Sequence, residues 1–182
     1  MKKKVVLLGD SIRLAYGQHV PAMLGDAYEV WQPTDNCRFA QYTLRMLFDE
    51  KENLQGADVI HWNNGLWDVC ELFDDRTFTP DSFYVDTMLR IARVLKDITP
   101  NVIFATTTPV HPDHPHNDNE KINHLNEIIV PKLQEMGIAI NDLHALAIND
   151  ISKYICEDNI HPTEAGAISY AEQVVKAIKQ FD

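Results

Sequence analysis

The chain has 182 residues, 45% of them apolar and 24% charged, enough to bury one core without staples, and it is read as a single domain over 1–182. Its formal net charge of -11 opposes binding to phosphate backbones and anionic lipid surfaces, so neither nucleic acid nor membrane is expected as a partner. The cysteines, Cys37, Cys70 and Cys156, are odd in number and widely spaced with no CxxC, which speaks against a zinc site or a disulfide scaffold and for reduced thiols.

In chain order, residues 3–9 (KKVVLLG) form a short apolar, β-branched run, read as a buried strand. The apolar part, 5–8, is too short for the core of a secretory signal, and no small-residue cleavage site follows. No stretch approaches the roughly 20 apolar residues of a membrane span, so a cytoplasmic protein is expected. Residues 12–24 are read as a helix, 28–31 as a second strand, and 39–51 as an amphipathic helix carrying Tyr42, Leu44, Met46, Leu47 and Phe48. A third strand is read over 57–62 and a helix over 81–98, stopped by Pro100. Residues 102–107 give a fourth strand, 119–136 a helix ended by Gly137, and 138–140 a fifth strand. A closing helix covers 163–180, with Thr163 as its N-cap.

Strands alternating with helices of this length imply βαβ units. The predicted architecture is α/β, a three-layer α/β/α sandwich with five parallel strands. Function then belongs at the carboxyl ends of the strands. The long loops at 63–80 and 109–118 both follow strands and fall on that edge.

Two stretches carry chemistry. Gly9-Asp10-Ser11 follows the first strand. Glycine allows a sharp turn, and Ser11 then stands at a helix start, where backbone N–H groups favour developing negative charge. On the tripeptide alone, a plain helix cap by Asp10 or Ser11 is the favoured reading. Asp158-Asn-Ile-His161-Pro162 stands just before the closing helix, and the three-residue spacing turns Asp158 and His161 to the same side. Asp158 then holds one ring nitrogen of His161 and leaves the other for a serine.

This pairing resembles the SGNH (GDSL-like) hydrolase family, on the residues Gly9-Asp10-Ser11 and Asp158-x-x-His161-Pro162, with the order of strands and helices matching over nearly the whole chain. The resemblance implies a flavodoxin-like fold with Ser11 as nucleophile, His161 as base and Asp158 as its orienter. It implies cleavage of a carboxylic ester, with short acyl groups such as acetyl on sugars frequent in the family, and no metal or organic cofactor. The family has a glycine after strand two and G-x-N-D after strand three, both serving the oxyanion hole. This chain departs from both. After strand two stands Thr34-Asp35-Asn36-Cys37-Arg38, where a backbone N–H of Asn36 or Cys37 takes that role. After strand three stands Asn63-Asn64-Gly65-Leu66-Trp67-Asp68, where Asn64 is favoured over Asn63 as the carboxamide donor; the same residues also read as a turn signal. The backbone N–H of Ser11 completes the expected set.

Other residues are weaker candidates. Arg13 is read as either a substrate-anion binder or a solvated helix residue, Trp67 as a pocket residue, Trp62 and His61 as core, and Asn126 as bonded to backbone. His111, His114 and His116 fit a substrate lip better than a metal site. The expected partner is a small polar ester, and the oligomeric state is left open. The alternatives are a catalytically silent protein on the same fold, a flavodoxin-like ligand-binding module, and a thioesterase or acyltransferase using the same three residues. Neither G-x-G-x-x-G nor G-x-x-x-x-G-K-[ST] is present to favour a nucleotide binder.

Overall fold

Short apolar runs with no polar face make the centre of the sheet. β1 (Lys3–Leu8) contributes Val5, Val6, Leu7 and Leu8, while every residue of β3 (Val59–Trp62) and β4 (Val102–Ala105) is buried. Strands covered on both faces carry such runs in parallel sheets. β2 (Tyr28–Trp31) and β5 (Ala139–Asn141) are less buried and form the edges. The order is β2-β1-β3-β4-β5 with all pairings parallel; Val5 lies opposite Val30 on one side and Val59 on the other. The computed structural model describes residues 1–73 and 76–182, so residues 74 and 75 of the loop read at 63–80 lie outside the described residues.

The helices cover the two faces. α3 (Ala40–Asp49), α6 (Asp81–Ile98) and α7 (Asn119–Glu135) pack side by side. α1 (Ser11–Tyr16) and α2 (Val20–Leu24) pack against α10 (Glu164–Ile178). The α/β three-layer reading therefore holds. On α6, Tyr84, Met88, Ile91, Ala92 and Leu95 recur at helical spacing and form the buried stripe. Thr163 caps α10 as expected, its hydroxyl accepting the Gly166 N–H at 2.9 Å.

The single helix read over 12–24 is two. Pro21 lacks the N–H that would bond the Gly17 carbonyl, and Gln32 Nε2 donates to that carbonyl instead, at 3.0 Å. Likewise the stretch 39–51 ends at Asp49, and a separate turn, α4 (Lys51–Leu54), follows. Three further short helices, α5 (Leu66–Val69), α8 (Leu143–Ile148) and α9 (Ile151–Tyr154), had no periodic signal. The chain leaves β1 toward β2 on one side and returns to β3 on the other. Strand order therefore reverses between β1 and β3, and the loops after these two strands flank the crevice where such sheets place ligands. Among the described residues no helix is long and apolar enough to cross a membrane.

Candidate active site

Ser11 is the first residue of α1, directly after β1. Gly9 makes the turn at φ +156°, and a Cβ there would overlap the Asn63 carboxamide. The cap of α1 is Asp10: its carboxylate accepts the Ile12 N–H at 3.0 Å and Asn63 Nδ2–H at 2.8 Å. Asp10 is buried, and desolvation outweighs these donors and Arg13, pushing its carboxyl up to about 6.

His161 and Asp158 sit on a turn closed by the Ile155–Pro162 bridge and by the Cys156 N–H, which donates to the His161 carbonyl at 2.8 Å. Asn159, between them, has φ +70°, which tightens the turn and brings the two side chains together. His161 Nδ1 lies 2.6 Å from Asp158 Oδ2, while Oδ1 accepts the N–H groups of Ile160 at 3.0 Å and His161 at 2.8 Å. Partial burial raises the Asp158 carboxyl, but these N–H groups, the ring and the Cys156 thiol more than offset it and hold the carboxyl well below the usual range. A carboxylate that only accepts puts the ring proton on Nδ1 and leaves Nε2 of the neutral ring as a base. The charge of His161 is felt at Asp10, so the pair lies within electrostatic reach of the turn carrying Ser11.

The other expected residues fare differently. Arg13 is not on the surface. Its guanidinium is buried, and its two terminal nitrogens donate to the carbonyls of Pro33 (2.9 Å), Asp35 (2.6 Å) and Gly9 (3.3 Å), tying the turns after β1 and β2 together. That overturns both readings of Arg13, as an anion binder and as a solvated residue. The Asn36 N–H donates to Asp35 Oδ1 at 2.8 Å and the Cys37 N–H to the Gly9 carbonyl at 3.0 Å, so neither is free for an oxyanion while those bonds stand. The backbone shape a glycine would favour falls on Arg38, at φ +51°. Asn64 is fully buried, accepting from Trp62 Nε1 at 2.7 Å and donating to the Arg38 carbonyl at 2.9 Å. Asn63 retains 5% exposure and is bonded to Asp10 itself. Trp67 is 41% exposed on α5, whereas Trp62 is core, edge-to-face with Phe104. His61 is fully buried, and Asn126 pairs with both backbone groups of Thr107, as read.

A cleft of about 340 Å³ is lined by Glu71, His111, His114, His116, Asn117 and Asn119. It adjoins the Asp158–His161 turn: the His111 N–H donates to the Asn159 carbonyl at 2.9 Å, and His114 feels the charges of Asp158 and His161. Among the described residues no three His, Cys, Asp or Glu side chains are placed to share a metal ion.

This architecture is the fold of the SGNH (GDSL-like) hydrolases. In structure the chain is similar to a GDSL-like lipase of Bacteroides thetaiotaomicron VPI-5482, with TM-score 0.76 and 19% identity over 98% of this chain and 88% of that one. It is similar to a lipase/acylhydrolase of Enterococcus faecalis, with TM-score 0.76 and 18% identity over 98% and 96% of the two chains. It is also similar to an acetylxylan esterase of Geobacillus stearothermophilus, with TM-score 0.73 and 14% identity over 98% and 93%. In sequence it is 38% identical over 84 residues to an acetylxylan esterase of Xylanibacter ruminicola; the match takes in 44% of this chain and spans only 17% of that protein's length. No protein-family profile matches the chain.

Proposed function

We propose that the chain is a serine carboxylic-ester hydrolase acting through Ser11, His161 and Asp158. The observation that carries the reading is the 2.6 Å bond from His161 Nδ1 to Asp158, on a turn whose charge reaches the residue beside Ser11. Ser11 Oγ attacks the ester carbonyl while His161 Nε2 takes its proton. Asp158 holds the tautomer and stabilises the imidazolium. His161 returns the proton to the leaving alcohol, and water releases the acyl group by the same route.

The tetrahedral oxyanion needs donors. The Ser11 N–H is one. Asn63 and Asn64 each have one amide hydrogen in use, on Asp10 and on the Arg38 carbonyl, which leaves one apiece. Burial of Asn64 and the bond from Asn63 to Asp10 favour Asn63 as the second donor, in place of Asn64. The substrate is a small polar ester, with acetyl on a carbohydrate as the best fit. The names of the acetylxylan esterase relatives support that choice, as does the polar cleft beside His161, with Trp67 as a further substrate contact.

The engaged N–H groups of Asn36 and Cys37 favour a second reading, a catalytically silent binding protein on the same fold. Hydrolysis of p-nitrophenyl acetate separates the two. Wild type should turn over, and Ser11→Ala and His161→Ala should each lose at least about a thousandfold in kcat. Wild-type rates no better than those of the variants, with no labelling by a fluorophosphonate, sink the esterase reading.

A further inference from the structure

Behind the turn that carries Ser11, a line of five hydrogen bonds crosses the core. Gln173 Nε2, on α10, donates to Asn141 Oδ1 at 2.9 Å, and Asn141 Nδ2 lies 3.0 Å from His61 Nε2. His61 Nδ1 lies 3.2 Å from the Tyr16 hydroxyl, which donates to Asn63 Oδ1 at 3.0 Å. Asn63 Nδ2 donates to Asp10 Oδ1 at 2.8 Å. The line therefore joins α10, β5, β3 and α1 to the residue preceding Ser11. All its members except Gln173 are buried.

Its direction is fixed from the far end. Gln173 Nε2 also donates to the Asp142 backbone carbonyl at 2.8 Å, and a carbonyl only accepts, so the Gln173 amide cannot be turned over. Asn141 must then accept with its oxygen and donate with its nitrogen. His61 Nε2 must accept, and Nδ1 carries the hydrogen of the neutral ring. Burial keeps that ring neutral, pushing it down to about 3. The single Tyr16 hydrogen goes on to Asn63 Oδ1, and the Asn63 nitrogen faces Asp10. Every donor points the same way, and the line ends on a carboxylate whose best-fitting state is the acceptor-only anion.

We propose that Gln173, Asn141, His61 and Tyr16 are positioning residues for the nucleophile's turn, their bond chain orienting the Asn63 carboxamide and holding Asp10 as an acceptor beside Ser11. The proposal rests on the esterase reading above. A carboxamide has nearly the same shape either way round, so packing alone does not choose between its nitrogen and its oxygen. An Asn63 turned over would present oxygen to Asp10 and to the developing oxyanion. The Tyr16 hydroxyl and an ionised Asp10 both prevent this, and removing either makes the flip easier. Protonation of Asp10 should therefore cost activity at a higher pH once Tyr16 no longer donates. The charges facing Asp10 are Arg13 on α1 and His161 ahead of α10. The Asp68 carboxyl on α5, the Cys37 thiol and the phenols of Tyr16 and Tyr84 also lie within electrostatic reach of it.

The test compares wild type, Tyr16→Phe and Gln173→Ala by the pH profile of kcat/KM on p-nitrophenyl acetate and by carboxyl carbon NMR titration of Asp10. Gln173 is only half-buried, so its truncation spares the fold if Tyr16→Phe does not. In Tyr16→Phe, kcat should fall about tenfold with KM within about twofold. The acid limb and the Asp10 midpoint should rise together by about half a pH unit or more. Gln173→Ala should move both the same way by less. A merely structural role lowers thermal stability and leaves both midpoints in place, and that result overturns the proposal. So does an Asp10 midpoint that moves while the acid limb stays. Failure of the esterase reading shows separately, as wild-type hydrolysis no greater than that of Ser11→Ala; the catalytic role then falls with it, while the NMR midpoint still reports whether the chain governs Asp10.

Discussion

The residues of the candidate site divide by how far their partners lie along the chain. Asp158 and His161 are three apart, and their pairing follows from one turn, so the local spacing announced it. Arg13 was misread because its fate is decided by carbonyls twenty and more residues away, at Pro33 and Asp35. The same holds for Cys37, whose N–H is taken by the Gly9 carbonyl, and for Asp10, which reads as a plain cap until Asn63 reaches it from the loop after β3. Adjacent asparagines are the hardest case, since sequence gives no reason for one to be enclosed and the other to face the turn that carries Ser11. Single alanine substitutions separate them. If Asn63 donates to the oxyanion, Asn63→Ala should lower kcat by about a hundredfold or more with little change in KM. Asn64→Ala, which removes the clamp on the Arg38 carbonyl and the partner of Trp62, should act mainly on stability, at about 1–3 kcal/mol. The reverse pattern in kcat would return the role to Asn64.

Elements were legible where they are long or have no polar face. The 3.6-residue stripe of α6 and the runs in β1, β3 and β4 are period signals that tertiary structure only confirms. Helices of four to six residues, such as α5, α8 and α9, have too few turns to show a period. The break between α1 and α2 shows how. Pro21 is the local cause, and Gln32, reaching in from just past β2, completes the break by taking the Gly17 carbonyl. A Cβ on Gly17 would overlap the Gln32 side-chain oxygen and crowd the Arg13 carbonyl. Gly17→Ala should therefore cost about 1–3 kcal/mol in denaturant unfolding, although alanine is the better helix former. In the double variant with Gln32→Ala the overlap with the side chain is relieved, so its cost should be less than the sum of the two single changes. Strict additivity would mean that Gln32 does not hold this junction.

For the whole molecule, the alternation of strands and helices foretold a parallel sheet, but the strand order that places the crevice between β1 and β3 emerges only in the assembled fold. Assembly also buries charge-bearing groups that composition cannot single out. Asp68 is enclosed between α3 and the loop before α6: its carboxylate accepts the Ala40 N–H at 3.1 Å and the Thr79 hydroxyl at 2.9 Å, yet desolvation dominates and pushes it up to about 7. Asp10 is pushed up to about 6, and His61 down to about 3, also by burial. For each raised carboxyl the folded state binds the proton more tightly than the unfolded chain. Its stabilisation is thus fully present below the ordinary carboxyl value of about 4 and is lost as pH rises to the folded value, at no more than about 1.4 kcal/mol per pH unit. The depressed imidazole works the other way, adding stability between about 3 and its ordinary 6.5. Between pH 4.5 and 6, the two falling contributions of Asp10 and Asp68 run against the rising one of His61 and those of His114 and His144, whose rings burial also pushes down. Asp68→Asn keeps an oxygen for Ala40 and Thr79 and removes one falling contribution. In urea unfolding from pH 4.5 to 7.5, the variant should gain on wild type steadily up to about pH 7 and run parallel above. A constant gap between the two curves across that range would mean that Asp68 titrates in the fold as it does in the open chain.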